Sequence, residues 1–235
     1  MLTLPIRIHF AEHIDSMKAD LTKYLSHIKS SHRVEALARA LGFKTYAALR
    51  ARDLFASPIE TQVDWSAFSN YLTEKGFSVT AKPLYLAAGR AAIKLMMEVP
   101  MLEPRLTREG IGVDTYHHKG ETPQQYLERF KQARMDMLKD SSVEEFLRSY
   151  MIVSRIKHTR TITTKRSART LKHIAEKTDF AYPDGEVSPA KYVCTGSLIS
   201  AALHAGFWYK SYPGSQNVHF NMLQKSIDNM GNEIR

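Results

Sequence analysis

Basic and hydroxyl side chains are interleaved in one short segment of the chain, residues 155–172, which we call the basic stretch. It contains seven Lys or Arg residues and no Asp or Glu, and so supplies most of the formal net charge of +9. Its cations are Arg155, Lys157, Arg160, Lys165, Arg166, Arg169 and Lys172. Arg and Lys attract phosphates, and neighbouring hydroxyls add hydrogen bonds to phosphate oxygens. We therefore predict a polyanion-binding segment, most simply one for duplex DNA. The alternative is that these long side chains only coat the surface, although seven uncompensated charges would repel one another there.

Histidines are not arranged as metal ligands. His9 and His13 are four residues apart and would share a helix face, but no third ligand accompanies them. The order His-Phe-Ala-Glu-His also differs from that of zinc proteases, in which Glu directly follows the first His. His117 and His118 are adjacent in a predicted loop. We predict no metal site.

Signals for catalysis are also weak. Cys194, the only cysteine, precedes an apolar helix and is expected to be a small buried residue. The segment Gly110-Ile-Gly112 lacks the third glycine of a dinucleotide-binding loop. Glu144 and Glu145 are explained by capping of a helix that Ser142 would begin. We therefore predict neither a cofactor nor an enzymatic activity, and no residue is assigned as catalytic.

The expected environment is a reducing one. A single cysteine allows no intrachain disulfide. The N-terminus lacks the long apolar region of a signal peptide. The most apolar region, Leu84–Met97, contains Arg90 and Lys94 and is too short to span a bilayer. These features predict a cytoplasmic protein that does not associate with membranes.

The N-terminal region has the spacing of a helix-turn-helix. A helix is predicted over 8–30, followed by a helix that ends at Gly42 and a third that Thr45 caps. Ala38 is small where the last two helices would cross, and Ala48 and Leu49 would pack back. The outward cations would be Lys44, Arg50 and Arg52. A DNA-reading hairpin and a plain structural one both remain open.

The segment Leu37-Ala-Arg-Ala-Leu-Gly-Phe-Lys-Thr-Tyr-Ala-Ala-Leu-Arg-Ala51 resembles a short helical module. That module occurs at the ends of some bacterial proteins described as glyoxalase-related. It is not their catalytic part, and the metal-ligand pattern of a glyoxalase barrel is not evident here. The resemblance therefore implies no activity.

The middle of the chain is predicted to be helical. Residues 55–62 are expected to be a linker, and 77–80 a short strand. Asp64 and the Thr122-Pro-Gln-Gln125 run mark helix starts, the latter with a capping box. Another helix would run from Pro83 to about Val99. Residues 101–121 are expected to be an irregular connection.

The C-terminal part has the element order of a winged helix. Residues 161–164 would be a strand, Ser167 or Thr164 would cap a helix, and Thr195–Gly206 would hold a second one. A hairpin follows, with Pro213-Gly at its turn. The second helix would then lie in the major groove with Ser197, Ser200 and His204 as polar contacts, and Lys210 would lie on the wing. One feature opposes this assignment: the helix is small, apolar and free of Lys and Arg. The hairpin aromatics Trp208, Tyr209 and Tyr212 could stack on single-stranded bases, or cover a core.

Three sequence segments of this region resemble the C-terminal part of uncharacterised proteins carried by bacterial plasmids and other mobile elements. They are Thr-Leu-Lys-His-Ile-Ala-Glu176, Gly-Ser-Leu-Ile-Ser-Ala-Ala-Leu-His-Ala-Gly-Phe207 and Asn217-Val-His-Phe-Asn221. The resemblance implies a bacterial, mobile-element context and no defined chemistry.

These observations together predict a mainly α protein with a small C-terminal β-hairpin, an α+β chain. Its predicted parts are a helix-turn-helix-like module over 1–56, a helical region over 57–150 and a basic α+β unit over 151–235. The leading function is non-enzymatic DNA binding, as a regulator or accessory factor of a mobile element. The rival is a protein-binding module or inhibitor of a nucleic-acid-processing complex. A homodimer fits a helix-turn-helix reader, although the chain has no heptad seam.

Overall fold

The computed structural model of the protein describes residues 2–54, 56–99, 102–103, 105–112, 120–162 and 167–233. The helices are α1 (Ala11–Tyr24), α2 (Ser30–Ala40), α3 (Tyr46–Arg50), α4 (Trp65–Glu74), α5 (Lys82–Glu98), α6 (Pro123–Asp136), α7 (Asp140–Val153), α8 (Ala168–Glu176), α9 (Thr195–His204) and α10 (Gln224–Glu233). The strands are β1 (Pro5–Ile8), β2 (Ile59–Gln62), β3 (Leu106–Thr107), β4 (Gly110–Ile111), β5 (Phe180–Ala181), β6 (Val187–Ser188), β7 (Tyr209–Ser211) and β8 (Val218–Phe220). The strands pair two by two in sequence order. The predicted mainly α class with a small β component is therefore confirmed. No helix within the described ranges combines the length and the apolar character needed to cross a bilayer.

Two compact units make up the chain, where the sequence suggested three segments. The first comprises Met1–Leu95 and Ala181–Ser188, and the second Met96–Phe180 and Pro189–Arg235. The short excursion 181–188 belongs to the first unit because its side chains pack there. Asp184 accepts a hydrogen bond from the backbone N–H of Ala81 at 2.6 Å, and the Tyr182 ring meets Tyr85 edge-on at 6.1 Å. Such a return of the chain has no local sequence signal.

In the first unit, buried apolar stripes hold α1 to α5 together. The stripe of α1 contains Ile14, Met17 and Leu21, all fully buried. Small residues of α2 allow it to pack against α1, α3 and α4. Leu41 and then Gly42, with φ of +85°, end α2 as predicted. The expected caps of α3 and α4 are confirmed: Thr45 accepts from Ala48 N at 3.1 Å, and Asp64 accepts from Ala67 N at 2.9 Å.

Three predictions for this unit were wrong. Residues 59–62 are not linker but strand β2, which pairs antiparallel with β1. The helix expected over 8–30 is shorter, since its first residue lies in β1 and α2 already begins at Ser30. Residues 77–80 are not a strand. β1 and β2 are distant in sequence, so a local pattern cannot show that they pair.

The second unit has α7 and α9 at its centre. Seven residues of α9 are buried, from Gly196 to Ala202, because glycine, serine and alanine side chains let it lie close against α7 and β3. Ser197 and Ser200 have no exposed surface. His204 meets the rings of Phe146 and Tyr150 edge-on. The prediction that α9 lies in the major groove is therefore wrong, because its polar side chains face the protein core.

Helix boundaries in this unit follow their caps, with one exception. The capping box of Thr122 and Gln125 at α6 is present, and Ser167 caps α8. α7 starts earlier than predicted, so Ser142 lies inside it and donates to Asp136 O at 2.7 Å. The predicted capping box at Ser142 is therefore absent. The connection 101–121 is not entirely irregular, since β3 and β4 form a small hairpin within it. The predicted hairpin of β7 and β8 is confirmed, and α10 follows it.

Candidate nucleic-acid interface

The start of the basic stretch pairs with residues 221–223, which directly follow β8. Thr159 N donates to Asn221 O, and Leu223 N donates to Lys157 O, both at 2.8 Å. His158 forms an antiparallel bridge with Met222, and Ser167 forms one with His219. The basic stretch thus joins the two-stranded β7–β8 sheet through two isolated bridges, one to β8 and one to the residues that follow it. This pairing was not predicted from the sequence, where residues 161–164 were expected to be the strand; of these, 163 and 164 lie outside the described residues, and 161–162 are not in a strand.

Two asparagines hold the basic stretch against the hairpin. Asn221 is 3% exposed; its Nδ2 donates to Thr159 O at 3.0 Å, and its Oδ1 accepts from Trp208 N at 2.7 Å. The Oδ1 of Asn217 accepts from Arg169 N at 3.1 Å, at the first turn of α8. Asparagine is disfavoured in strands, and its presence at both ends of β8 was the available signal for these tethers.

The cations of this region face solvent. Arg155, Lys157, Arg160, Arg169 and Lys210 are exposed, and we call them the basic surface. Within the described part of the chain, Lys157, Arg160, Arg169 and Lys210 have no ion-pair partner. The Lys210 ammonium lies 5.4 Å from the centre of the Tyr212 ring. Four of these cations lie on segments that contact the hairpin or belong to it: Lys157 and Arg160 beside residues 221–223, Arg169 at the start of α8, and Lys210 on β7. Arg155 lies just after α7.

Lys172 differs from the other cations of the basic stretch. It is 8% exposed, and its Nζ donates to Glu176 Oε1 at 2.9 Å and to Val193 O at 3.3 Å. The ammonium also lies 4.7 Å from the centre of the Tyr192 ring. These partners occupy Lys172, so its position argues for a structural role. Lys165 and Arg166 lie outside the described residues.

The predicted N-terminal cations lie in the other unit, on the α2–α3 hairpin. Arg50 pairs with Asp15 at 3.3 Å, and Arg52 donates to Ser57 through Nε at 3.3 Å and through Nη2. Lys44 is exposed in the turn. α3 has only five residues, and Leu49 is its buried contact, whereas Ala48 is exposed. Two of the three cations thus already have partners inside their own unit.

A buried polar network surrounds Cys194 at the start of α9. Arg108 pairs with Glu145 at 2.8 Å, and the other oxygen of Glu145 accepts from Cys194 N at 2.8 Å. The Cys194 thiol donates to Ser197 Oγ at 3.1 Å. Glu145 therefore does not cap α7 as predicted, but ties α7 to β3 and α9. Burial raises the pKa of the Cys194 thiol to about 12, and the charge of Glu145 adds to this effect.

Among the cavities lined by described residues, two lie in the second unit. One, of about 280 Å³, lies beside the Cys194 network and is lined by Arg108, Asp136 and Tyr192 among others. The larger, of about 500 Å³, lies by the turn of the β7–β8 hairpin, next to Arg105 and Tyr126. In the described ranges, no three His, Cys, Asp or Glu side chains are grouped to hold a metal ion.

Comparison with protein-family models, with curated proteins and with solved structures finds no match to this chain. The functional argument therefore depends on the residues and geometry given above.

Proposed function

We propose that the protein binds nucleic acid through the basic surface and acts without catalysis, as a DNA-binding regulator or accessory factor of a bacterial mobile element. The observation that supports this most is the position of its cations. Lys157 lies beside Leu223, just after β8, and Lys210 lies on β7. Arg160 and Arg169 each lie two residues beyond a bridge to this hairpin region, those of His158 and Ser167. Side chains without internal ion pairs are available to phosphate oxygens.

The position of Arg169 supports binding rather than a structural role. It lies in the first turn of α8, which contains no acidic residue. A helix start carries partial positive charge, so a cation there is unfavourable for the helix itself. Lys172, one turn later, avoids this by pairing with Glu176. A bound phosphate would compensate Arg169 in the same way.

The test is duplex binding against salt, measured by fluorescence anisotropy with random-sequence DNA. If about five to seven cations meet phosphates, the log–log slope of affinity against salt should be roughly −4 to −6. Changing Lys157, Arg160, Arg169 and Lys210 together to Ala should make that slope less steep by about 3 to 4.

The matched control changes Lys29, Lys75, Lys131 and Lys191, which are exposed elsewhere, to Ala. It removes the same charge and should change the slope by less than about 1. Equal effects of the two variants would mean that net charge alone drives binding. Absence of duplex binding at low salt, by a folded protein, would contradict the proposal.

A rival role as a protein-binding module is favoured by one observation, the exposure of 68% for Trp208 beside the basic surface. Large exposed aromatics are enriched where proteins meet partners. The two roles differ in their requirement for a partner. A DNA binder retains duplex at moderate salt by itself, whereas an inhibitor of a nucleic-acid-processing complex does not.

Sedimentation with and without DNA would also test the homodimer that paired half-sites require.

A further inference from the structure

We propose, resting on the function above, that the preferred ligand of the basic surface is a single strand of nucleic acid and that one of its bases stacks on Trp208. Of the three hairpin aromatics, Trp208 is the one whose ring has no partner among the described residues. Its side chain is 68% exposed, the largest exposure among the large apolar residues described. Neither a ring contact nor a side-chain hydrogen bond engages its indole within the described residues.

The two other hairpin aromatics already have partners. The Tyr209 hydroxyl donates to Glu103 and accepts from Arg105 Nη2 at 3.3 Å. The Tyr212 ring meets His219 edge-on at 5.4 Å, and Lys210 lies over it. Only Trp208 therefore presents a free aromatic face, and this choice among the three could not be made from the sequence.

Hydrogen bonds to Asn221 hold the backbone of Trp208 in place. Its N–H donates to Asn221 Oδ1 at 2.7 Å, and its carbonyl accepts from Asn221 N at 3.2 Å. The same Asn221 holds Thr159 of the basic stretch. The backbone of Trp208 is thus ordered before a ligand binds, so stacking does not carry the entropy cost of ordering it.

Trp208 lies next to one cation of the basic surface, Lys210, along the hairpin. Lys210 is opposite His219 in the register of β7 and β8, and Trp208 lies directly before β7, two residues from Lys210. Directly opposed residues share a face, and residues two apart along a strand do as well. Val218 and Phe220, which alternate with these, are buried. Lys157 lies on the other side of residues 221–223 from Trp208, where its carbonyl accepts a hydrogen bond from Leu223 N at 2.8 Å.

This combination favours a single strand over a duplex. Bases of a duplex are stacked on one another and offer no face to an exposed indole, whereas unpaired bases stack readily on aromatic side chains. α9 is buried and cannot read a major groove. The phosphates of either ligand would meet the cations, but only a single strand would also use Trp208.

The experiment compares a mixed-sequence single strand, in DNA and RNA forms, with the matched duplex at one salt concentration. Wild type should bind at least one single strand more tightly than duplex. Trp208→Ala should weaken single-strand binding by about 5- to 150-fold, the loss expected for one stacked base. Its duplex affinity should stay within about twofold of wild type, because the phosphate contacts remain. Trp208→Phe should restore part of the loss, since it keeps an aromatic face.

A direct readout uses the fact that the chain has two tryptophans. In Trp65→Phe, Trp208 is the remaining indole, and its fluorescence should be quenched by the single strand and not by duplex. Poly-glutamate supplies negative charge without bases. It should not quench the Trp208 fluorescence, and its affinity should be the same for wild type and Trp208→Ala.

The outcomes separate this inference from the function on which it depends. If wild type binds duplex and single strand with equal affinity, and Trp208→Ala has the affinity of wild type for both, the stacking inference is overturned. Nucleic-acid binding itself would remain. No binding of any oligonucleotide would overturn both. Poly-glutamate bound as tightly as the oligonucleotides would overturn the inference in favour of an acidic protein surface.

Discussion

At the scale of single residues, the environment of a group decides its chemistry more than its type does. Cys194 shows this most clearly. It lies at the start of a helix, a position that often activates a thiol, yet it is 2% exposed. Its backbone N–H binds a carboxylate oxygen of Glu145 at 2.8 Å. Burial and that negative charge both oppose the thiolate, so the residue is a structural one.

We therefore expect Cys194 to resist alkylation in the native protein. With a pKa of about 12, the thiol stays protonated throughout the neutral and mildly alkaline range, and thiolate forms only as pH nears that value. Iodoacetamide at pH 8 should modify it at least ~100-fold more slowly than in urea, where its pKa returns to about 8.5. Intact-mass spectrometry over time measures this. Rapid native labelling, at the rate of the unfolded chain, would contradict the burial described here.

At the scale of elements, close packing of α9 depends on a residue without a side chain. A methyl group at Gly196 would collide with the backbone carbonyl of Thr107 in β3. Backbone cannot move aside as the end of a flexible side chain can, so Gly196→Ala should destabilise the protein by about 1 to 3 kcal/mol. The midpoint of urea unfolding measures this.

Gly231 provides the matched control for that substitution. It lies in α10, and a Cβ there would meet no described atom within 4 Å. Gly231→Ala should therefore leave stability unchanged or raise it by up to about 1 kcal/mol through helix propensity. Equal destabilisation by both substitutions would show that the contact with Thr107 does not limit the approach of α9.

Local sequence signals predicted most helix starts, whereas pairings between distant segments could not be predicted from the sequence. The caps Thr45, Asp64 and Thr122 were identified, and Ser167 was one of two candidates for its helix, because each acts on backbone groups within one turn. The β1–β2 pair and the return of 181–188 to the first unit depend on contacts between distant segments. The same holds for the candidate site: its cations were visible as composition, but their attachment to β8 through Asn221 was not. Exposure of Trp208, too, is a property of packing and not of sequence.

At the scale of the whole molecule, the predicted binding residues divide between the two units. Lys44, Arg50 and Arg52 belong to the first, and the basic surface belongs to the second. Two of the first unit's three cations already have partners, since Arg50 forms an ion pair with Asp15 and Arg52 donates hydrogen bonds to Ser57. Exposed pairs of this kind stabilise a fold little, but they must be broken before the cation can reach a phosphate. We expect the second unit to dominate binding.

Changing Lys44, Arg50 and Arg52 together to Ala tests this division of labour. If only Lys44 reaches a phosphate, the salt slope for duplex should become less steep by about 1 or less. The four-residue variant of the basic surface should change it by about 3 to 4. Because the two sets share no partner, their effects on the free energy of binding should add within about 0.5 kcal/mol in the combined variant. A slope change near 3 from the triple variant alone would instead show that the α2–α3 hairpin is a full contact, and would restore the helix-turn-helix prediction for that unit.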